Sequence, residues 1–196
     1  MNTPNKLTLG RMIATPIFMA VMLIAFPYHY TVALVLFIAA SLTDLIDGKM
    51  ARKYNMVTDF GKFMDPLADK MLTTGAYLGF MFIYGGSDFA WHIVAITFIV
   101  LFREFAVSSI RLVAVTAGGK VVAANMWGKC KTVSQMAGII LALFVYALNE
   151  FVPLSVSLFA TLDIIIVALF WLSAILCVIS GAIYIYGGKE YIANAK

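Results

Sequence analysis

Five aspartates lie in one short polar segment, "DLIDGKMARKYNMVTDFGKFMDPLADK", which spans residues 44–70 and holds half of the ten acidic residues in the chain. On a helix, Asp44 and Asp47 are three residues apart and Asp65 and Asp69 are four apart, so each pair shares a face. Carboxylates brought that close repel one another unless a cation lies between them, and hard divalent cations prefer oxygen ligands. The spacing therefore predicts a site for divalent metal ions.

Two divalent ions about 3.5–4 Å apart form the usual clamp for displacement at a phosphorus atom. Gly48, Ala51 and Gly61 are small enough to let a bulky group approach the backbone between the acids. The competing interpretation is a solvated loop in which the acids pair only with the segment's own lysines and arginines. Thr58 is predicted to cap the following helix, with Asp59 in its first turn.

The rest of the chain predicts a membrane protein. Of its 196 residues, 63% are hydrophobic and 12% charged, whereas soluble domains are about 45–50% apolar and about 25% charged. A helix needs about 20 mostly apolar residues to span a bilayer. We expect an all-α integral membrane fold, formed as one domain over residues 1–196. A short interfacial N-terminal segment should precede six transmembrane helices near residues 10–27, 31–53, 62–84, 90–117, 131–149 and 156–186.

The basic residues indicate the orientation of these spans. None of the fourteen lysines and arginines falls in the first, third or fifth connection. Basic residues concentrate in cytoplasmic loops, so both termini and the aspartate segment should face the cytoplasm. The net charge of +4 does not indicate nucleic-acid binding, because these residues lie at span ends and form no separate basic domain.

At this point a family resemblance is visible. The segment has the pattern D44-x-x-D47-G48-x-x-A51-R52-x8-G61-x3-D65-x3-D69, which resembles, without departure, the signature of the CDP-alcohol phosphatidyltransferase family. That family is built of six transmembrane helices, in agreement with the span count. The resemblance implies a cell-membrane enzyme that displaces CMP from a CDP-linked lipid, uses two Mg²⁺ ions with Mn²⁺ as a substitute, and forms homodimers.

The resemblance also implies roles for residues. Asp44, Asp47 and Asp65 would ligate metal, and Asp69 would approach the metals and act as general base on the attacking hydroxyl. Residues lining the cytidine diphosphate site would be Gly48, Ala51, Arg52 and Gly61, with Thr58 a weaker candidate. Thr8 is open to two interpretations: contact with the lipid diphosphate, or simply a position near the start of an interfacial helix.

Three further segments, "PNKLTLGRMIATPIF", "REFAVSSIRL" and "GKCKT", are similar to members of the family that join CDP-diacylglycerol to sn-glycerol 3-phosphate, giving phosphatidylglycerophosphate and CMP. An arginine at membrane depth needs a partner or an aqueous cavity. We therefore predict that Arg111, Lys129 and Lys131, with Arg103 behind them, bind the acceptor's phosphate. The alternative is that these side chains only extend to lipid headgroups.

Other functions are left as alternatives. The same chemistry could use inositol phosphate, phosphatidylglycerol or serine as acceptor, although the basic residues argue against serine. A divalent-cation transporter would use the same carboxylates, but it would be expected to hold its ion near the midplane between internal repeats. His29 and His92 are predicted to be non-catalytic. The role of Asp163 is left open between pairing with an intramembrane arginine and contact with a partner subunit.

Overall fold

The computed structural model describes residues 3–53, 59–116 and 126–193, with the side chains in these ranges other than those of residues 3–4, 45–53, 59–63, 65–66, 69, 111–116 and 188–193. The described residues form six α-helices and no strand. The helices are α1 (Thr3–Leu23), α2 (His29–Lys53), α3 (Asp59–Ile83), α4 (Ala90–Thr116), α5 (Met126–Phe151) and α6 (Val156–Ala193). The all-α prediction is confirmed for this part of the chain.

Within the described residues, four helices carry an apolar stretch long enough to cross a membrane: Asn5–Leu23, Ala90–Ile110, Met126–Phe151 and Val156–Gly187. Helix α2 has a shorter apolar stretch, His29–Asp44. Helix α6 has 38 residues and is about 57 Å long at ~1.5 Å per residue, so it extends beyond a hydrocarbon core of about 30 Å. The chain is thus a multi-pass membrane protein.

The predicted bounds depart most from the structure at the two ends of the chain: α6 runs to Ala193, beyond the predicted end at residue 186, and the start of α1 differs by as much. The expected first span began at residue 10, after a separate interfacial segment, but α1 begins at Thr3 and runs without a break to Leu23. The early residues are helical because their polar side chains are buried by neighbouring helices: Asn5, Thr8 and Arg11 are all inaccessible to solvent. Hydropathy alone assigns such residues to water, so it placed the start of the helix too late.

Helix α1 lies against both α2 and α3, while α5 packs on α6 and α2, and α4 on α6 and α3. The centre of the bundle is aromatic and includes Phe18, Phe37, Tyr77, Phe80 and Phe170. Packing of this kind stabilises membrane helices largely through van der Waals contact, because the lipid is as apolar as the side chains. The core therefore fixes which helix faces meet.

Two glycines on α3 allow α1 to approach closely. A Cβ atom on Gly79 would lie 2.6 Å from Sδ of Met22, and one on Gly75 would lie 3.1 Å from Cγ of Met19. Small residues four apart are the usual means by which membrane helices bring their backbones together. The consequence is that the buried face of α1, which is polar in its first half, is held against α3.

Candidate active site

The first polar contact of functional interest joins α1 to α2. The guanidinium of Arg11 is buried and forms an ion pair with the carboxylate of Asp44, whose side chain is 27% exposed. A buried charge is tolerated when it is paired. Helix α1 therefore supplies a positive charge at the end of α2 that carries the signature residues Asp44 and Asp47. We call this end of the bundle the aspartate end.

From the sequence, Thr8 and its neighbours Asn5 and Arg11 were open to contact with the lipid diphosphate, but the pairing of Arg11 with Asp44 was not predicted, although a signal was present. Asn5, Thr8 and Arg11 are spaced by three residues, so they share a helix face, and all three are buried. Thr15, one turn further, is also buried and donates from Oγ1 to the carbonyl oxygen of Arg11 at 3.0 Å. Thr8 thus lies on the inner face of α1 beside Arg11. Its contact with the lipid diphosphate stays a prediction.

For most of the remaining signature residues, the structure describes the helix but not the side chain. Asp47, Gly48, Ala51 and Arg52 belong to α2, and Gly61, Asp65 and Asp69 belong to α3, but the side chains of these residues lie outside the described set, as does Thr58 altogether. Helix α3 does begin at Asp59, where a first-turn residue was expected. No group of three metal-ligating side chains occurs among the residues whose side chains are described. The metal and cytidine diphosphate roles stay predictions.

A second polar cluster joins α3, α4 and α5 around Glu104; we call it the Glu104 cluster. Oε1 of Glu104 accepts from Nη1 of Arg103 at 2.9 Å and from Nζ of Lys131, and Oε2 lies 3.5 Å from Nζ of Lys70. Lys70 also donates to the carbonyl oxygen of Glu104 at 3.1 Å and to Oγ of Ser108. Three basic side chains from three helices therefore meet at one carboxylate.

Further contacts hold this cluster in place. Nη2 of Arg103 donates to Oγ of Ser180 on α6 at 2.7 Å, and a Cβ atom on Gly181 would lie 2.9 Å from Cγ of Arg103. Gln135, one turn after Lys131 on α5, is buried, and its Nε2 has no hydrogen-bond partner in the described part of the chain. The sequence interpretation singled out neither Gln135 nor the meeting of Lys70 with α4.

The structure separates the four residues predicted to bind the acceptor's phosphate. Arg103 and Lys131 meet at Glu104. Lys131 is only 7% exposed, whereas the side chain of Lys129 is exposed to solvent. Residues two apart on an α-helix point about 200° away from each other, so Lys129 and Lys131 cannot share a face. The side chain of Arg111 lies outside the described set.

At the opposite end of the bundle, acidic side chains have structural partners. Glu150 of α5 accepts from the backbone nitrogens of Tyr30 and Thr31 at 3.0 and 3.1 Å, which satisfies free donors at the start of α2. His29 opens α2, about 22 Å from Asp44 along the helix axis at ~1.5 Å per residue. His92 accepts from Nε1 of Trp171 at 3.2 Å. That neither histidine is catalytic stays a prediction.

Asp163, whose role was left open from the sequence, has a hydrogen-bond partner in the bundle. The hydroxyl of Tyr84 donates to its Oδ1 at 2.6 Å, so the described part of the chain supplies a tyrosine as its partner. Tyr84 lies in the turn between α3 and α4, and burial raises the pKa of its phenol, so the hydroxyl keeps the proton it donates. A hydroxyl can supply the hydrogen bond that a buried carboxylate requires without adding a second charge.

Fold and site define a class: an all-α multi-pass membrane protein with acidic and basic side chains paired between helices at one end of the bundle. Residues 1–180 match the family model described as CDP-alcohol phosphatidyltransferase. The chain belongs to the CDP-alcohol phosphatidyltransferase family.

Curated relatives agree with this assignment. The chain is 43% identical over 150 residues to the CDP-diacylglycerol–glycerol-3-phosphate 3-phosphatidyltransferase of Bacillus subtilis, which covers 70% of this chain and 74% of the relative. The protein of the same name from Rickettsia bellii is 34% identical over 97% of both chains. A probable phosphatidylglycerophosphate synthase from Mycobacterium tuberculosis is 36% identical over 76% of this chain and 68% of its own.

Proposed function

We propose that this chain transfers the phosphatidyl group of CDP-diacylglycerol to sn-glycerol 3-phosphate, giving phosphatidylglycerophosphate and CMP. The relatives from Bacillus subtilis and Rickettsia bellii carry the name of this reaction. The structural observation that carries the proposal is the Glu104 cluster, in which three basic side chains share one carboxylate. Its surplus positive charge suits a phosphorylated acceptor, and an acceptor without phosphate would leave that charge uncompensated.

The proposed reaction is a displacement at phosphorus. The attacking hydroxyl oxygen of the acceptor forms a bond to the phosphorus of the phosphatidyl group, and the bond from that phosphorus to the CMP oxygen breaks. The hydroxyl proton goes to the carboxylate of Asp69, acting as general base. Arg52 would donate to the diphosphate, and Thr8 and, as a weaker candidate, Thr58 would contribute further hydroxyl contacts to the same ligand. Gly48, Ala51 and Gly61 leave room for the cytidine diphosphate.

Asp44, Asp47, Asp65 and Asp69 would hold two Mg²⁺ ions, with Mn²⁺ as a substitute. Carboxylate oxygens are the donors that these ions prefer. The described member of the set fits a cation site, since Asp44 already attracts the buried guanidinium of Arg11. When bound, the ions neutralise the diphosphate and stabilise departing CMP.

For the acceptor, Arg103 and Lys131 bind the phosphate from inside the bundle, where both side chains are at least partly buried. Arg111 is a further candidate for the same phosphate, whereas Lys129 is exposed and would contribute only weakly to binding. A phosphate held by several positively charged donors is bound more strongly than by neutral ones, which favours glycerol 3-phosphate over serine or unphosphorylated inositol.

The membrane arrangement belongs to the same proposal. All six helices cross the bilayer, both termini lie in the cytoplasm, and the aspartate end faces the cytoplasm. The absence of lysine and arginine from the first, third and fifth connections supports this orientation. Residues 1–196 form one domain in the cell membrane, and two copies form a homodimer.

A release assay tests the proposed reaction. Purified protein in detergent, given CDP-diacylglycerol and Mg²⁺, should release CMP when glycerol 3-phosphate is added. Serine, inositol, inositol phosphate and phosphatidylglycerol should each fail to support release. Chelation with EDTA should abolish the activity, and added Mg²⁺ or Mn²⁺ should restore it. Release with another acceptor alone would reject the proposed substrate, and full activity in EDTA would reject the metal requirement.

A further inference from the structure

Glu104 makes contacts that phosphate binding alone does not require. A site for an anion gains nothing directly from a carboxylate, yet Glu104 lies among the three basic groups, with a side chain only 12% exposed. Its two oxygens have different partners: Oε1 contacts Arg103 and Lys131, and Oε2 faces Lys70. Lys70 belongs to α3 and Lys131 to α5, while Arg103 precedes Glu104 on α4, so Glu104 is the point at which α3, α4 and α5 are joined.

The link to α3 is the most specific part of this arrangement. Nζ of Lys70 is held by the carbonyl oxygen of Glu104 at 3.1 Å and by Oγ of Ser108 as well as by the carboxylate. Ser108 in turn donates to the carbonyl oxygen of Glu104 at 2.7 Å. Lys70 directly follows Asp69, the proposed general base. Glu104 thus contacts both α3, which carries the proposed base, and the two cations proposed to hold the acceptor, Arg103 and Lys131.

Charge strengthens the argument. Three basic groups against one carboxylate leave an excess of two positive charges, which matches the dianion of a phosphate monoester. Without Glu104, three partly buried like charges would repel one another at short range. Side chains as enclosed as Lys131, 7% exposed, could separate only by disturbing the packing. Glu104 therefore fixes the positions of the cations as well as their net charge.

We propose that Glu104 is a positioning residue for phosphatidyl transfer: it holds Arg103 and Lys131 in register with α3, so that an acceptor bound by its phosphate directs its hydroxyl toward Asp69. The inference rests on the proposed function and deepens it. Small displacements of a reacting group cost large factors in rate, so the effect of losing Glu104 should fall on turnover. Phosphate binding should be kept or become tighter, because a negative charge has been removed beside the anion.

The experiment compares Glu104→Gln with Glu150→Gln. Both carboxylates are largely enclosed, 12% and 14% exposed, but Glu150 caps α2 at the opposite end. Glu104→Gln should lower kcat at least about tenfold, the equivalent of ~1.4 kcal/mol in the barrier. Inhibition by inorganic phosphate should be as strong as in the wild type or stronger, and KM for CDP-diacylglycerol should stay within about twofold. Glu150→Gln should leave kcat within about twofold, since a factor of two is only ~0.4 kcal/mol.

A milder pair of variants keeps the test decisive if Glu104→Gln does not fold. Ser108→Ala removes only one partner of Lys70, and should lower kcat about threefold without weakening phosphate inhibition, as loss of one hydrogen bond of ~0.5–1.5 kcal/mol implies. Glu104→Asp keeps the charge and shortens the reach, so it should restore wild-type phosphate inhibition and leave kcat low. Unchanged kcat in Glu104→Gln, unchanged kcat in Ser108→Ala where Glu104→Gln does not fold, or full recovery of kcat in Glu104→Asp would overturn the inference.

The assay uses whichever acceptor supports CMP release in the wild type. If glycerol 3-phosphate is inactive and another acceptor works, the proposed function fails, while the kcat comparison still decides the role of Glu104. If glycerol 3-phosphate is active and Glu104→Gln turns over normally, only the positioning inference fails. Absence of release with every acceptor would overturn both.

Discussion

Charged side chains in this bundle occur with partners from other helices. Asp44 meets Arg11, Glu104 meets three cations, and Glu150 meets the start of α2. Asp163 receives the hydroxyl of Tyr84. Ionised groups are costly away from water, so each acidic residue in a helix whose side chain is described is placed where a donor compensates it. The Glu104 cluster differs from the acidic groups at the opposite end of the bundle in having an excess of positive charge.

The two lysines at the start of α5 provide a matched pair for the acceptor site. Lys131→Met should raise KM for glycerol 3-phosphate at least tenfold, because loss of a buried charged partner costs roughly 2–5 kcal/mol in binding. Lys129→Met removes the same charge from the exposed face and should change KM less than about threefold, as expected of a solvent-exposed charge. Steady-state kinetics with varied acceptor measures both. Equal increases in the two variants would contradict the separation of the lysines that the structure describes.

The aspartates of the signature should differ in what they affect. Asp69→Asn should abolish CMP release yet retain binding of CDP-diacylglycerol, because only the proton acceptor is lost. Asp44→Asn should weaken lipid binding as well, since it also removes the carboxylate that pairs with Arg11. Binding of a radiolabelled CDP-lipid to purified protein, measured beside turnover, distinguishes the two. Loss of lipid binding in Asp69→Asn to the same extent as in Asp44→Asn would count against the assigned roles.

Helix α1 differs in polarity between the two halves of its buried face. The first half of its buried face carries Asn5, Thr8 and Arg11, and the second half carries Phe18 and Met22. The apolar half is seated on α3 through Gly75 and Gly79, and this contact determines where the polar half lies. Packing far from the charged residues thereby positions Arg11 beside Asp44.

Glycine substitutions test that contact. Gly79→Ala would place a methyl group against Sδ of Met22, a side chain that is itself buried and has little room to move. Overpacking costs about 1–3 kcal/mol and alanine returns up to ~1 kcal/mol in helix propensity, so the free energy of unfolding should fall by a net amount of up to ~2 kcal/mol. Gly10→Ala is the matched control: no atom lies within 4 Å of its Cβ position, and alanine favours a helix by up to ~1 kcal/mol. Thermal unfolding in detergent should therefore show a lower Tm for the first and an equal or higher Tm for the second.

A suppressor identifies the cause of the loss. Met22→Ala removes the side chain that Gly79→Ala would contact. In a Met22→Ala background, the further change Gly79→Ala should cost little, giving non-additive effects of the kind expected for residues in contact. Additive losses in the double variant would indicate that close packing of α1 on α3 is not the reason for glycine at this position.

For the whole molecule, the two native cysteines allow the orientation to be tested directly. Cys130, at the start of α5, is exposed, and Cys177, within α6, is buried. A membrane-impermeant maleimide should label Cys130 in inverted vesicles and not in sealed spheroplasts, since the proposed orientation places that end of α5 in the cytoplasm. Cys177 should react in neither until the protein is denatured. Ser155→Cys, in the exposed turn between α5 and α6, should give the reverse pattern to Cys130 in a cysteine-free background.

Two results would contradict this arrangement. Labelling of Cys130 in sealed spheroplasts would reverse the orientation of the bundle. Labelling of Ser155→Cys in inverted vesicles alone would give the same conclusion independently. A Cys130→Ser control is needed in either case, because it shows that the signal comes from this residue.

The helices were largely predictable from the sequence. Long apolar stretches separated by turn residues gave six helices, and the bounds of α2 and α4 agree with the prediction to within two residues. The helix starts that were misplaced, at Thr3 for α1 and Met126 for α5, are those where polar residues enter the helix. Hydropathy measures the preference of a residue for lipid or water, and it cannot register a polar side chain that a neighbouring helix satisfies.

The available chemistry, and hence the family, follows from the sequence alone: it holds the four signature aspartates with Gly48, Ala51, Arg52 and Gly61 at fixed spacing. The partners of the charged side chains follow only from the fold. It joined Arg11 to Asp44 and gathered Lys70, Arg103 and Lys131 at Glu104. Spacing along one helix fixes which residues share a face, but which faces meet depends on packing between helices distant in sequence, and here aromatic side chains and the glycines of α3 set that packing.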